Sequence, residues 1–324
     1  MLRRALLAVS RSDQFRRLLT GTPAARAVVR RYVAGETVTD AVRAASELRA
    51  AGLLVTLDYL GEDTTDALRA AAVANEYVVL LERLHAAGLT ADGAVEVSVK
   101  PTAVGLLLGA NEDGPGNDRM LGEKIAAEHI ERIAATAATF GTTVTVDMED
   151  HRTTDTTLRI VGKLRERYPS VGNVLQAELR RTEADARALA VAGSRVRLCK
   201  GAYNEPVSEA FPDPHDVDKS FARCLRILME GPGYPMIATH DPRLIRIATA
   251  LGLRREPGSF EYQMLYGIRA DEQARLAGQG ARVRVYVPYG GDWYGYLIRR
   301  LAERPASLGL LGRSLLPGSV RAKS

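Results

Sequence analysis

The sequence predicts an α/β fold, a distorted (βα)8 TIM-like barrel, on three observations. Short β-branched runs recur along the body of the chain. Longer Ala-, Arg- and Leu-rich stretches of helical period separate them. The turn after the first run, Asp58-Tyr59-Leu60-Gly61-Glu62-Asp63, lacks the GxGxxG that a doubly wound nucleotide-binding sheet usually carries there.

The expected strands are Leu53–Asp58, Ala94–Lys100, Thr143–Met148, Val174–Ala177, Arg195–Lys200, Met236–His240, Ser259–Met264 and Arg282–Val287. Parallel neighbours need helix-length crossovers, and eight βα units close a barrel. The intervening stretches supply the helices. Asp118–Thr139 places Leu121, Ile125, Ala126 and Ile130 on one face, and Ser220–Glu230 repeats the spacing with Phe221, Cys224, Leu225 and Leu228. An open doubly wound sheet is the alternative architecture. The expected division is a helical arm over residues 1–45, a catalytic barrel over 46–308 and a flexible tail over 309–324.

Composition narrows the function classes. Of 324 residues, 46% are hydrophobic and 26% charged, which is globular and excludes a disordered chain. Cys199 and Cys224 have no CxxC partner, so neither a zinc site nor a disulfide framework is expected, and a reducing, cytoplasmic setting is. No apolar run reaches the roughly 20 residues of a membrane span. Residues 1–34 hold eight arginines and one acid, so this segment carries +7 and the rest of the chain −2. Such an arm suits peripheral contact with an anionic membrane surface, and a solvated helical face explains the same charges. The body has no basic stripe, so no nucleic-acid partner is expected.

A barrel builds its site at the C-terminal ends of its strands. Those ends carry Asp58, Lys100, Asp147, Gln176, Lys200, Thr239, His240, Gln263, Tyr286 and Tyr289. Each alone has an ordinary structural explanation, but ring closure would aim them at one cavity. Lys100 or Lys200 could act as the Schiff-base nucleophile of an aldolase if desolvated. Asp147, Glu149, Asp150 and His151 cluster in sequence, yet no second histidine group completes a metal site, and no metal is expected.

Asp292 can cap a last helix that starts at Trp293 and stops before Pro305. On that helix Arg300 lies about 40° from Tyr296, and Arg299 about 60° to the other side. One face offers a phenol and two guanidinium groups, which suits a small carboxylate. The same arginines could instead complement the helix dipole, and Glu303 could pair with Arg299.

The run Tyr262-Gln-Met-Leu-Tyr-Gly-Ile-Arg269, then Val283-Arg-Val-Tyr-Val-Pro-Tyr-Gly290, then Tyr296-Leu-Ile-Arg-Arg-Leu301 resembles the closing signature of the proline dehydrogenase family. Val144-Thr-Val-Asp-Met-Glu-Asp150, Gln176-Ala177 and Val196-Arg-Leu-Cys-Lys-Gly-Ala-Tyr203 fit its middle, and Lys100 its second strand. The resemblance spans residues 50 to 305 in order. It implies FAD held without a Rossmann fingerprint. It also implies oxidation of L-proline to Δ1-pyrroline-5-carboxylate, electrons passed to a membrane quinone, and a separate pyrroline-5-carboxylate dehydrogenase acting next.

Carried over by position, Arg299, Arg300 and Lys100 resemble the substrate-carboxylate partners. Tyr286 and Tyr296 resemble walls of the proline pocket, and Asp147 and Arg197 active-site residues. Met148, Gln176, Arg197, Lys200, Gly201, Ala202, Thr239 and His240 resemble flavin contacts. Cys199 departs from the usual aliphatic residue and is expected to pack on the face opposite Lys200. The acid that orients Arg299 is not placed, with Asp58 and Glu62 as candidates. An aldolase-type barrel and a non-catalytic flavin or metabolite binder are the competing classes.

Overall fold

All eight expected strands form, and each runs parallel to its neighbours. The protein is described by a computed structural model over residues 29–109 and 119–303. The strands are β1 Leu54–Tyr59, β2 Val95–Val99, β3 Val144–Val146, β4 Asn173–Gln176, β5 Arg195–Cys199, β6 Tyr234–Ala238, β7 Glu261–Leu265 and β8 Val283–Tyr289. Their ends differ from expectation by a residue or two. The side-chain period of 2 runs on past the last ladder hydrogen bond, so it does not mark where pairing stops. In β6 the strand includes Pro235, which sits next to its first residue, where a missing N–H is tolerated.

The sheet order is β3-β2-β1-β8-β7-β6-β5-β4. A parallel bridge between Thr145 and Gly172 joins the two ends and makes the sheet a barrel. Val146 N donates to Gly172 O at 3.0 Å, and Gly172 N to Val144 O at 2.9 Å. A Cβ on Gly172 would stand 2.8 Å from Thr145 Oγ1, so the closure needs glycine there.

Around the strands lie α1 Val38–Ala50, α2 Ala67–Ala86, α3 Arg119–Thr139, α4 Thr154–Arg167, α5 Thr182–Leu189, α6 Pro214–Glu230, α7 Pro242–Gly252, α8 Ala270–Gly278 and α9 Trp293–Glu303. Local chemistry starts several of them. Thr37 and Asp40 form a capping box on α1, and Asp66, Asp213 and Asp241 cap α2, α6 and α7. The expected boundary at residue 45 falls inside α1, whose Ala41, Ala44 and Ala45 are buried in the barrel core. Residues 1–28 of the arm and the tail lie outside the described residues.

The apolar core fills the space between strands and helices. Val55, Leu57, Val97, Val146, Leu198, Ile237, Val285 and Val287 face outward onto Tyr77, Leu81, Ile130, Phe221 and Leu225. Each fully buried aliphatic side chain contributes roughly 1.5–3 kcal/mol. On α6 the expected face of Phe221, Cys224, Leu225 and Leu228 is the buried one. On α3 the buried face is Gly122, Ala126, Ile130, Ile133, Ala134 and Ala137, and Leu121 is 45% exposed. The shift follows from Gly122, which rests against the carbonyls of Leu106 and Leu108 where any Cβ would collide.

The barrel interior is polar where such barrels usually hold layers of branched apolar residues. A lower layer joins Glu96 of β2, Arg195 of β5, Glu261 of β7 and Arg284 of β8. Arg284 Nε donates to Glu261 at 2.7 Å, and Arg195 Nη2 to Glu96 at 2.7 Å. Burial disfavours the Glu96 charge, but Arg195 and Arg284 outweigh it and hold the carboxyl down at about 2. Below this layer, at the N-terminal end of the strands, opens a cleft of about 680 Å3 lined by Arg195, Tyr234, Arg255 and Arg284 among others. The guanidinium groups of Arg195, Arg255 and Arg284 are already engaged. Arg255 donates to the carbonyls of Met229, Gly231 and Gly233, and Arg195 and Arg284 hold the two glutamates. This end is the floor of the barrel, opposite the strand ends where barrel chemistry sits.

Candidate active site

The upper interior layer is where the expected residues meet. Lys100, just past β2, donates to both oxygens of Asp58 of β1, each at 2.8 Å. Burial works against the Lys100 ammonium, but the Asp58 and Asp147 carboxylates more than offset it and hold the charge on. Burial pushes the Asp58 carboxyl up, with Lys100 pulling the other way. Asp58 is therefore the partner of Lys100.

Asp147, just past β3, ties three strands together. Its Oδ1 accepts from Arg197 Nη1 at 2.5 Å and from Ser98 Oγ at 2.8 Å. Its Oδ2 accepts from the Tyr286 hydroxyl at 2.7 Å. The Arg197 guanidinium lies over the Tyr286 ring, 5.1 Å from its centroid. Arg197 Nε donates to Gln263 Oε1 at 2.6 Å. Arg197 is 4% exposed, and its Nη2 is buried without a hydrogen-bond partner.

A second group follows the ends of β4 to β6. Gln176 Nε2 donates to the Glu149 carbonyl at 2.7 Å. Lys200 sits between Asp218 at 2.5 Å and Asp241 at 3.2 Å, the latter also capping α7. Thr239 Oγ1 accepts from Asp241 N at 3.1 Å, and His240 Nε2 accepts from Leu265 N at 2.9 Å. Gly201 has φ +110°, and a Cβ there would run into the Glu178 carboxylate. Ala202 follows in the same loop and Met148 is buried beside Asp147. Arg197 stands between the two groups.

The late helix α9 lies over this end of the barrel. Trp293, Tyr294, Tyr296, Leu297 and Ile298 pack with Tyr32, Val33, Leu60 and Ile268, and Leu60 and Ile268 follow the ends of β1 and β7. Trp293 Nε1 donates to Glu36 at 2.9 Å, and Asp292 pairs with Arg69 of α2. Tyr296 lies in this cluster, 7% exposed. Arg299 and Arg300 belong to α9, but their side chains lie outside the described residues.

One expected rim residue turns away, and other readings are sharpened. Tyr289 turns outward, fully buried against Tyr59 at 5.2 Å between ring centroids, because it alternates with Val287 and not with Tyr286. Cys199 shares the alternation of Arg195 and Arg197, and donates its thiol to Leu175 O at 3.6 Å. Burial pushes that thiol up to about 12, so it stays protonated. Lys100 and Lys200 are both ion-paired, which opposes the desolvated free amine that a Schiff-base nucleophile requires. The acids of the 147–151 run diverge: Glu149 goes to Thr102, Asp150 to Arg152, and His151 to Glu205.

Glu149 and Thr102 form a clasp that the residue pattern did not reveal. Glu149 accepts from Thr102 N at 2.9 Å and Thr102 Oγ1 at 2.6 Å, and Thr102 Oγ1 accepts from Asp63 N at 2.9 Å. The clasp links the loops after β1, β2 and β3. Burial pushes the Glu149 carboxyl up to about 8, against the two Thr102 hydrogen bonds. The folded state thus holds a proton that the unfolded state releases near the usual carboxylate range. This contribution to stability is complete at low pH and is lost as pH rises toward about 8. Glu149→Gln, which mimics the protonated acid, is expected to flatten the fall of melting temperature from the usual carboxylate range up to about pH 8. Identical pH slopes in the two proteins would contradict this role.

The barrel and its polar upper layer define a (βα)8-barrel protein of the enzyme type, with its site at the C-terminal ends of the strands. The chain belongs to the proline dehydrogenase family: that family's sequence model, Proline dehydrogenase, matches residues 41–311. It is 35% identical over 289 residues to Proline dehydrogenase 1 of Bacillus subtilis (strain 168), covering 89% of this chain and 90% of that one. It is 37% identical over 296 residues to Proline dehydrogenase of Deinococcus radiodurans, with the same coverage of 89% and 90%. Among solved structures, proline utilization A from Bdellovibrio bacteriovorus, inactivated by N-propargylglycine, matches at a TM-score of 0.77 and 24% identity. That match spans 86% of this chain and 33% of the other, and it shows the barrel fold.

Proposed function

We propose that the protein oxidises L-proline to Δ1-pyrroline-5-carboxylate, with FAD as its bound cofactor and a membrane quinone as the acceptor. Family membership over residues 41–311 carries the reading. The residues present also fit a flavin: Arg197 Nη2 is a buried donor with no protein partner, and the Lys200-Gly201-Ala202 loop needs glycine to lie as it does. Arg197, Gln176, Lys200, Gly201, Ala202, Met148, Thr239 and His240 would hold that group. When bound, FAD supplies the two-electron acceptor for hydride.

The chain's own residues bind and orient. Lys100 is kept cationic by Asp58 and offers its charge to the substrate carboxylate, with Arg299 and Arg300 of α9 as the further partners the family resemblance implies. Fixing the carboxylate fixes the ring, so orientation accounts for much of the rate. Tyr286 is held by Asp147 and cannot swing, so it makes a firm wall. The amine must be neutral when hydride leaves, so the rate rises with pH through an apparent pKa of the enzyme–substrate complex. The setting that follows is cytoplasmic, with peripheral contact at the inner face of the membrane and a separate dehydrogenase consuming the product.

The purified protein is expected to be yellow, and its visible flavin absorbance to bleach when L-proline is added without oxygen. Colourless protein that takes up no flavin would defeat the cofactor assignment. Yellow protein that proline never bleaches would favour a non-catalytic binder.

A further inference from the structure

We propose that Gln263 is a positioning residue that fixes the plane of the Arg197 guanidinium, and so the direction in which Arg197 Nη2 meets the flavin. The inference rests on the FAD reading given above. Gln263 is 3% exposed, and it bridges the two interior layers of the barrel. Its Nε2 donates to Glu261 Oε1 at 2.6 Å, and its Oε1 accepts from Arg197 Nε at 2.6 Å.

Charge decides which way the amide points. Glu261 is held ionised by Arg284, below the usual carboxylate range despite burial, so it can only accept. Arg197 can only donate. A flipped amide would set its oxygen against a carboxylate and its NH2 against a guanidinium. The lower layer therefore dictates the orientation of Gln263, and Gln263 passes that constraint up to Arg197.

A guanidinium is planar, so anchoring two of its nitrogens fixes the third. Nη1 is anchored by Asp147 at 2.5 Å and Ser98 at 3.0 Å, and Nε by Gln263. Without Gln263 only the Nη1 hydrogen bonds and the Tyr286 ring contact remain, and the group can turn in its plane over that ring. Nη2 would then leave its direction, and Nε would become a second buried donor without a partner. A cationic donor aimed at the cofactor favours its reduced, more negative form. Losing that aim weakens flavin binding and lowers the flavin midpoint potential.

The test compares flavin-loaded wild type with Gln263→Met and Gln263→Glu. Methionine keeps the length and removes both hydrogen bonds. Loss of one hydrogen bond to a charged group predicts flavin release at least about 10-fold easier in Gln263→Met. Its midpoint potential should fall, and its KM for proline should stay close to wild type, because the carboxylate contacts are elsewhere. Glutamate in its protonated form can donate to Glu261 and accept from Arg197. Gln263→Glu should therefore retain flavin at low pH, and its potential should fall with pH more steeply than that of wild type.

A purely structural role predicts the reverse order, since glutamate beside Glu261 harms folding more than methionine does. Folded Gln263→Met with wild-type flavin affinity and potential would overturn the inference. If Gln263→Met does not fold, a wild-type pH slope in Gln263→Glu would overturn it as well. Wild type that binds no flavin sinks the cofactor reading itself, so the two failures are distinguishable.

Discussion

Asp147→Asn is expected to lower kcat/KM for proline by at least about 100-fold, the loss that a small misplacement of reacting groups brings. Three groups depend on this carboxylate: Arg197, Ser98 and Tyr286. Asparagine keeps the shape but offers one acceptor where aspartate offers two. Its oxygen must serve Arg197, which cannot accept, so its NH2 faces the Tyr286 hydroxyl. That hydroxyl must then turn from donor to acceptor and loses its hold. Arg197 meanwhile keeps a buried charge without its counter-ion, and breaking such a pair costs about 3–5 kcal/mol of stability. Steady-state kinetics on the folded variant, with urea unfolding alongside, separates the two effects. Turnover within a few-fold of wild type would remove Asp147 from the catalytic arrangement.

The second large effect concerns Lys100. Lys100→Met is expected to raise the KM for proline by about 100-fold, the worth of a charge-assisted contact to a carboxylate. It should also destabilise the protein by about 3–5 kcal/mol, because Asp58 is left buried and unpaired. The stability loss carries a sign in pH. The stranded Asp58 carboxyl is raised further in the folded state, so the folded state gains a proton that the unfolded state lacks. The deficit is therefore small at low pH and grows as pH rises. Adding Asp58→Asn to Lys100→Met should restore most of the stability while KM stays high. A double variant that recovers proline affinity would show that Lys100 serves folding alone.

Much of the site was legible as alternation. Thr56-Leu57-Asp58, Glu96-Val97-Ser98, Arg195-Val196-Arg197, Glu261-Tyr262-Gln263 and Arg284-Val285-Tyr286 each place two polar residues a period of 2 apart around an apolar one. That pattern marks one face of every such strand as the polar interior and the other as the helix-facing core. Strand ends alone brought Lys100, Asp147 and Tyr286 to one rim, and Arg197 joined them only through the family resemblance. The pattern also contained the lower layer of Glu96, Glu261 and Arg284, whose alternation was visible although no chemistry called attention to it.

Partnership was not legible. The sequence offered Asp58 only as one candidate acid for Arg299, and the register of β1 against β2 brings it to Lys100. Glu149 looked like one acid of a cluster, yet a turn after β3 sends it away from Asp147 toward Thr102. Tyr289 belonged to the same signature as Tyr286 but falls on the odd side of β8.

The sequence by itself determined the eight-unit barrel, the polar face of each strand and the family, because periodicity and motif are local properties of the chain. Only the tertiary structure decided which charge answers which. Tyr286 and Asp147 are 139 positions apart, and Arg197 and Asp147, 50 apart, meet across the seam where the sheet closes at Thr145 and Gly172. Closure sets the distances, and in a buried interior those distances determine which ions stay charged and which hydrogen bonds hold.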